Sequence, residues 1–187
     1  MITCILLAAG SGSRFGSQKL LARLPDGRRI VEASASNLNI ANERRVIAVA
    51  RRDPELIAVL KDCGCEVVLN ELADQGMGTS IAAGVAASTD ASGWLITLGD
   101  MPSIRFDTVT AIVNALRSGA RIALPTMNGR RGHPVGFSAL YRARLQSLSG
   151  DTGARDIVNA DANFVEEISV DDAGIFFDID TRADMKL

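Results

Sequence analysis

The chain has 187 residues, of which 47% are hydrophobic and 22% are charged, a composition that indicates a globular protein and excludes collagen-like, coiled-coil and disordered chains. Its 20 Lys and Arg against 22 Asp and Glu give a net charge of −2, so no overall positive field attracts nucleic acid or a membrane surface. With three cysteines and no apolar stretch near the roughly 20 residues of a membrane span, we expect a cytoplasmic protein folded as one domain over residues 1–187.

Five short apolar runs have the composition of buried β-strands, and segments of helical periodicity lie between them. The runs cover residues 5–8, 46–49, 67–69, 95–98 and 122–124. Helices are predicted near residues 30–40, 53–63, 78–88, 107–118 and 138–148. This alternation predicts an α/β fold in which helices cover a largely parallel sheet.

The clearest helix signal begins at Asp53. Aspartate is a preferred N-cap, and Pro54 stands at the first helical position, where its missing N–H costs nothing. Leu56 and Leu60 then repeat at helical spacing, and Gly64 follows the expected end. Together with the apolar runs on either side, this helix predicts a βαβ unit.

A glycine-rich loop follows the first predicted strand, with the sequence Ala-Ala-Gly-Ser-Gly-Ser-Arg-Phe-Gly-Ser-Gln-Lys over residues 8–19. Small residues let backbone N–H groups approach a phosphate closely, and Arg14 and Lys19 add positive charge. The dinucleotide fingerprint G-x-G-x-x-G requires glycine where this chain has Phe15, and a P-loop requires Gly-Lys-Ser/Thr around Lys19. The loop therefore predicts a phosphate-binding site that differs from those of dinucleotide-dependent dehydrogenases and P-loop ATPases.

Acidic residues in two places are candidates for a metal site. Asp100 comes directly after the predicted strand 95–98, at the edge where open α/β sheets bind ligands. A carboxylate beside a phosphate loop suits Mg²⁺, although an aspartate that opens a turn before Pro102 is the structural alternative. Near the C-terminus, Asp178 and Asp180 alternate with apolar residues.

Two further motifs each allow a structural and a functional interpretation. Thr79 and Ser80 lie at the start of the predicted helix 78–88, where hydroxyls either cap the helix or help its N–H groups to bind an anion. Arg155 ends the segment Gly-Asp-Thr-Gly-Ala-Arg and either binds an anionic substrate or pairs with Asp151 or Asp156. The spacing does not distinguish between them.

The histidine and cysteine content excludes two other kinds of site. His133 is the only histidine, and without a G-x-S-x-G elbow the chain is not a Ser-His-Asp hydrolase of that type. A structural zinc ion needs four ligands, which this chain offers only from distant segments. The sequence therefore does not predict a zinc site at Cys63 and Cys65.

The glycine loop and four later motifs resemble the MobA-like nucleotidyltransferases, in the same order and over nearly the whole chain. The later motifs are Leu-Gly-Asp-Met-Pro at 98–102, Gly-His-Pro-Val at 132–135, Gly-Asp-Thr-Gly-Ala-Arg at 150–155 and Asp-Ile-Asp-Thr at 178–181. The Ala-Ala-Gly form of the loop is similar to the cytidylyltransferases of the molybdenum cofactor, because guanylyltransferases carry Ala-Gly-Gly there. The resemblance implies a three-layer α/β/α Rossmann-like nucleotidyltransferase fold with a mostly parallel sheet and a short antiparallel element near residues 134–137.

The resemblance also implies an activity, namely transfer of CMP from CTP to the phosphate of molybdopterin with Mg²⁺ as cofactor and diphosphate as product. For nucleotide binding it implies Leu7, Ala8, Ala9, Gly10, Gly12, Arg14, Lys19, Thr79 and Ser80. Catalysis is assigned to Arg14, Lys19 and Asp100, and metal binding to Asp100 and Asp180, with Asp178 as the alternative to Asp180. The acceptor is expected to contact His133, Pro134, Asp151 and Arg155. Alternatives are use of GTP, an acceptor such as a phosphorylated sugar or small acid, glycosyl transfer, and a carrier that hands the cofactor to a molybdoenzyme.

Overall fold

A computed structural model describes residues 1–10, 15, 18–38 and 45–186. Strands and helices alternate in its first two thirds: β1 (Ile2–Ala8), α1 (Ile30–Ser36), β2 (Arg45–Ala50), α2 (Pro54–Asp62), β3 (Glu66–Leu69), α3 (Met77–Ala86), β4 (Gly93–Leu98), α4 (Phe106–Arg117) and β5 (Ile122–Met127). The last third adds β6 (Arg130–Arg131), β7 (Val135–Ser138), α5 (Arg142–Gln146), α6 (Arg155–Ala160) and β8 (Val165–Ser169). All five predicted strands are present.

The strands form one sheet in the order β3-β2-β1-β4-β7-β5-β6, with β8 paired in parallel to β5. Strands β1 to β4 run parallel, and β7 runs antiparallel between β4 and β5. The mostly parallel sheet and the antiparallel element are therefore confirmed. In the register of the sheet, Ala8 lies opposite Ala50 and Leu7 opposite Leu98, so the carboxyl ends of β1, β2 and β4 meet at one edge.

Helices cover both faces of the sheet, as the three-layer prediction required. Successive side chains of a strand point to opposite faces, so Leu6 and Ile5 belong to different cores. Leu6 packs in a cluster with Ile30, Leu60 and Ile112 from α1, α2 and α4. Ile5 packs in a cluster with Ile81, Leu145 and Ile157 from α3, α5 and α6. Neither of these two β1 side chains is exposed to solvent.

The local helix signals are confirmed at α2 and wrong at the start of α5. The Asp53 side chain accepts hydrogen bonds from the N–H groups of Glu55 and Leu56, with Pro54 in the first helical position. The helix predicted over residues 138–148 begins only at Arg142, because Ser138 ends β7 and donates its N–H to the Arg121 carbonyl. Tertiary strand pairing here outweighs the helical periodicity.

Cys4 and Cys65 are buried in the core, and Cys63 is partly buried. Burial, with the neighbouring thiols, raises the pKa of Cys65 to about 12, which keeps it protonated. Among the residues with described positions, the only group of three or more potential metal ligands consists of aspartates. Within those same positions, no helix is both long enough and apolar enough to cross a membrane.

Candidate active site

Three aspartates meet at the carboxyl edge of the sheet. Asp100 follows β4, and the backbone N–H of Ile179 donates to the Asp100 carbonyl over 2.9 Å, which fixes the C-terminal segment alongside. Ile179 is buried, and its two neighbours Asp178 and Asp180 point to the opposite side, as alternation in an extended segment requires. One oxygen from each aspartate lies within 4.8 Å of the other two. The rivals Asp178 and Asp180 therefore both belong to one carboxylate cluster with Asp100.

Lys19 is the cation of this cluster. Its Nζ lies 2.7 Å from Asp100 Oδ2 and 3.4 Å from Asp180 Oδ1. Burial alone would lower the pKa of Lys19, but hydrogen bonds and charge from Asp100 and Asp180 outweigh it and raise that pKa above 10.5. The ammonium is thus fully protonated at neutral pH, and it neutralises part of the charge that the carboxylates bring together.

The carboxylate cluster fits a divalent cation. Asp100 Oδ1 is buried and has no hydrogen-bond partner among the described residues. Hard oxygen donors of this kind are the ligands that Mg²⁺ and Mn²⁺ prefer. Asp178 is exposed and Asp180 half-buried, so the cluster is open to solvent on one side.

The described part of the glycine loop lies beside the cluster. Leu7 and Ala8 end β1, and Gly10 is exposed, with open space around the position of a Cβ. Gly12 and Arg14, to which the resemblance gave roles, lie outside the described residues. The predicted phosphate loop is therefore located at the expected sheet edge by its first residues and by Lys19.

Two adjoining cavities open at this edge. A polar cleft of about 420 Å³ is lined by Ala9, Gly10, Arg51, Ser80, Asp100 and Asp178, among others. An apolar cavity of about 370 Å³ is lined by Ile81, Ile96, Val135 and Phe137, with His133, Thr152 and Arg155 as polar residues. Both cavities share Leu7, Met77, Leu98 and Asp151 in their walls. The two cavities therefore adjoin along these four residues.

The capping interpretation of Thr79 and Ser80 is wrong. Helix α3 begins at Met77 with Gly76 as its N-cap, so both hydroxyl residues lie inside the first turns. The Nδ2 of Asn70 donates to Thr79 Oγ1 and to Ser80 Oγ, each over 2.9 Å. Both residues are buried, and Ser80 also lines the polar cleft.

Two glycine motifs, Gly76–Gly78 and Gly150–Gly153, are explained by their mutual contact. The N–H of Gly78 donates to the Gly150 carbonyl over 2.8 Å. Gly76 has φ of 105°, and a Cβ there would lie 2.3 Å from the Gly150 carbonyl carbon. Only glycine permits this approach, and the contact brings Asp151 to the junction of the two cavities.

His133 and Arg155, for which the resemblance predicts acceptor binding, both line the apolar cavity. Burial lowers the pKa of His133, although the charges of Asp100 and Asp178 oppose the shift, and its Nδ1 is buried with no hydrogen-bond partner in the described chain. Arg155 is exposed and forms no ion pair in the described ranges, so of the two alternatives the pairing with Asp151 or Asp156 does not occur there. Pro134 is buried and follows a cis peptide bond.

Sequence reasoning missed two residues of the site, Arg51 and Asn70. Arg51 lines the polar cleft and donates to the Ala9 carbonyl, and Asn70 organises the first turn of α3. Arg51 comes directly after β2, and Asn70 comes directly after β3. Polar residues directly beyond buried parallel strands were the signal that would have found them.

The fold and this edge of the sheet define a class of protein, the α/β nucleotidyltransferases, in which a strand-to-helix glycine loop, a lysine and carboxylates converge. The chain belongs to the family of the MobA-like NTP transferase domain, whose sequence profile matches residues 4–165.

Similar proteins carry different names. A nicotine blue oxidoreductase of Paenarthrobacter nicotinovorans is 29% identical over 98% of this chain and 94% of its own length. A molybdenum cofactor cytidylyltransferase of Escherichia coli (strain K12) is 28% identical over 98% of this chain and 93% of its own length. The crystal structure of Rv0371c from Mycobacterium tuberculosis H37Rv in complex with manganese is 25% identical, with a TM-score of 0.79 over 98% of this chain and 95% of that one.

Proposed function

We propose that the protein transfers CMP from CTP to the terminal phosphate of molybdopterin or its molybdenum form and releases diphosphate. One observation carries the proposal: the polar cleft, lined by Asp100 and Asp178 of the carboxylate cluster, shares Leu7, Leu98 and Asp151 with the wall of the apolar cavity. A nucleotide in the cleft and a heterocycle in the cavity would meet beside Asp100 and Asp178.

For the nucleotide, the proposal assigns the backbone of the glycine loop and the cations that flank it. Leu7, Ala8, Ala9, Gly10 and Gly12 would contact the base, ribose and phosphates, with Thr79 and Ser80 supporting the facing wall. The choice of CTP over GTP is based on Ala9 and on the cytidylyltransferase among the similar proteins. Of these residues, Leu7, Ala9, Gly10 and Ser80 line the cleft.

For the acceptor, the walls of the second cavity favour a flat heterocycle over a sugar phosphate. A sugar presents hydroxyl groups on every side, and these would lose hydrogen bonds to water against Ile81, Ile96, Val135 and Phe137. A pterin presents two apolar ring faces and polar edges. In this proposal Asp151 and the His133 ring would meet those edges, Pro134 would hold His133 in place, and Arg155 would bind the acceptor phosphate.

For the metal, the proposal assigns Mg²⁺ to Asp100 and Asp180, with Asp178 beside them. A divalent cation bound there would neutralise charge on the triphosphate. The similarity to a protein crystallised with manganese supports a divalent ion as a ligand of this chain.

The reaction requires alignment and charge stabilisation rather than a general base. A phosphate monoester is largely ionised at neutral pH, so an oxygen of the acceptor phosphate attacks the α-phosphorus of CTP, and the bond from that phosphorus to the diphosphate oxygen breaks. Lys19 and Arg14 would stabilise the negative charge of the α-phosphate and of the leaving diphosphate. The lowered pKa of His133, caused by burial, accords with a residue that orients a ligand as a neutral imidazole.

A second candidate, reduction of a heterocyclic pigment, is favoured by one observation, the 29% identity to a nicotine blue oxidoreductase. The glycine loop argues against it, because Phe15 replaces the third glycine of the dinucleotide fingerprint.

The test is a screen of CTP, GTP, ATP and UTP with purified molybdopterin or its molybdenum form, in which diphosphate release is measured with Mg²⁺ present. We expect release with CTP and little with GTP. Preference for GTP, or release only with a sugar phosphate, would refute the nucleotide or acceptor assignment. A parallel assay follows the bleaching of nicotine blue with a reduced nicotinamide dinucleotide, and turnover there without diphosphate release would establish the oxidoreductase instead.

A further inference from the structure

Arg51 contacts both walls of the polar cleft. Its Nε donates to the Ala9 carbonyl over 2.5 Å, and its Nη1 lies 2.5 Å from Asp74 Oδ1. Ala9 belongs to the glycine loop that follows β1. Asp74 belongs to the short 3₁₀ helix Ala73–Gln75, which leads into Gly76 and α3. One guanidinium group therefore bridges two segments that face each other across the cleft.

The register of the sheet explains why Arg51 reaches both segments. Ala8 of β1 lies opposite Ala50 of β2, so the next residues, Ala9 and Arg51, are neighbours at the same edge. The Arg51 carbonyl accepts the N–H of Asp53 over 2.8 Å, in the turn that starts α2, and this bond fixes the Arg51 backbone. Because the guanidinium is planar and its donors diverge at fixed angles, it can hold two acceptors in a defined relative position.

We propose that Arg51 is a positioning residue that sets the separation of the two walls and thereby the affinity of the cleft for nucleotide. The inference rests on the proposed function in taking this cleft as the nucleotide site. The Nε and Nη1 donors of Arg51 are engaged by Ala9 and Asp74, so its effect on a nucleotide is exerted through the walls. A ligand held between preorganised walls does not have to order them on binding.

The experiment compares CTP with cytidine, which lacks phosphates, in binding titrations of the wild-type protein and of Arg51→Met. Loss of both wall contacts should reduce the affinity for CTP and for cytidine by the same factor, about five- to tenfold, because charge-assisted hydrogen bonds of this kind preorganise the site. If CTP binding weakens while cytidine binding is unchanged, Arg51 contacts the triphosphate and the inference is overturned. Unchanged affinity for both ligands overturns it as well.

Asp74→Asn provides a second variant that should fold, since 87% of the Asp74 side chain is exposed. It removes the charge at one end of the bridge and should reduce the affinity for both ligands less than Arg51→Met does. In the double variant the two effects should not add, because both changes break the same bridge. Additive effects would contradict the bridging role.

Arg52→Met is the matched control. Arg52 is adjacent in sequence and pairs with Glu71 over 2.7 Å, but it lines neither cavity. The Arg52→Met variant should bind CTP and cytidine as the wild type does. A loss of affinity equal to that of Arg51→Met would overturn the inference. Failure of the proposed function is a separate result, because a wild-type protein that does not bind CTP is detected before any variant is made.

Discussion

The ammonium of Lys19 lies 2.7 Å from the carboxylate of Asp100, a residue 81 positions further along the chain. The same nitrogen lies 3.4 Å from Asp180, so one lysine occupies the space between two of the three clustered carboxylates. Lys19 therefore competes with any cation that binds these oxygens in the free protein, and a nucleotide triphosphate would offer the lysine an alternative partner.

Lys19→Met should bind Mn²⁺ more tightly than the wild type when no nucleotide is present. Removing one positive charge within 4 Å of the carboxylates favours the added cation, and a gain of about threefold to tenfold is expected at this partly exposed site. Turnover with saturating CTP should nevertheless fall, since the transition state loses a stabilising charge. Titration followed by electron paramagnetic resonance measures the Mn²⁺ affinity. Lys61→Met, at an exposed position on α2, is the control, and equal Mn²⁺ affinity in the Lys19 variant and the wild type would contradict the competition.

Asp178→Asn tests whether the exposed member of the cluster is a metal ligand. Loss of one carboxylate from a three-carboxylate site should weaken Mn²⁺ binding by about tenfold. The midpoint of urea unfolding should hardly change, because Asp178 forms no ion pair with any residue whose position is described. Asp156→Asn on α6 serves as the exposed control. Unaltered Mn²⁺ affinity would remove Asp178 from the site and leave Asp100 and Asp180.

Gly76→Ala should destabilise the protein far more than Gly119→Ala, although both glycines have nearly the same φ, 105° and 107°. At Gly119 the added methyl group meets no atom within 4 Å, so the cost is about 1–2 kcal/mol for the positive φ alone. At Gly76 it would lie 2.3 Å from the Gly150 backbone, which adds at least about 2 kcal/mol for overpacking. Urea unfolding gives both values, and equal costs would show that the two glycine motifs separate without penalty.

His133 should make the protein less stable as the pH falls. Burial lowers the pKa of His133 below its ordinary 6.5, so under mildly acidic conditions the unfolded chain binds a proton that the folded protein does not. The resulting loss of stability begins as the pH falls through 6.5 and continues down to the folded-state pKa. Comparing urea unfolding of the wild type with His133→Gln from pH 7.5 to 5.5 isolates this effect, since the chain has no other histidine. A constant difference between the two proteins would contradict it.

Arg155→Lys should raise KM for the acceptor by about tenfold while leaving CTP affinity unchanged, because an ammonium cannot reproduce bidentate binding of a phosphate. Steady-state kinetics with varied acceptor measure the effect. Arg117→Lys, at the exposed end of α4, is the control. If the Arg155 variant instead weakens CTP binding, this arginine faces the nucleotide rather than the acceptor.

Structural features that are set by residues close together in the sequence were predicted from the sequence alone. The strand runs, the family motifs and the Asp53 cap of α2 all arise from residues within a few positions of one another. Helix α4 was predicted near residues 107–118 and lies at Phe106–Arg117, within one residue at each end. Its contact with Asp172, 64 or more positions away, was not predicted: the Asp172 carboxylate accepts hydrogen bonds from the Arg105 N–H and the Thr108 hydroxyl.

The sequence by itself therefore determined the α/β class, the order of the elements and the chemical types of the site residues, because periodicity, capping and motif composition are local. Only the tertiary structure decided which of those residues meet. Asp178 joined Asp180 in the carboxylate cluster, Gly76 packed against Gly150, and Arg51 reached Ala9. Such contacts follow from the register of parallel strands and from the exclusion of overlapping atoms, and both quantities exist only once distant segments are packed together.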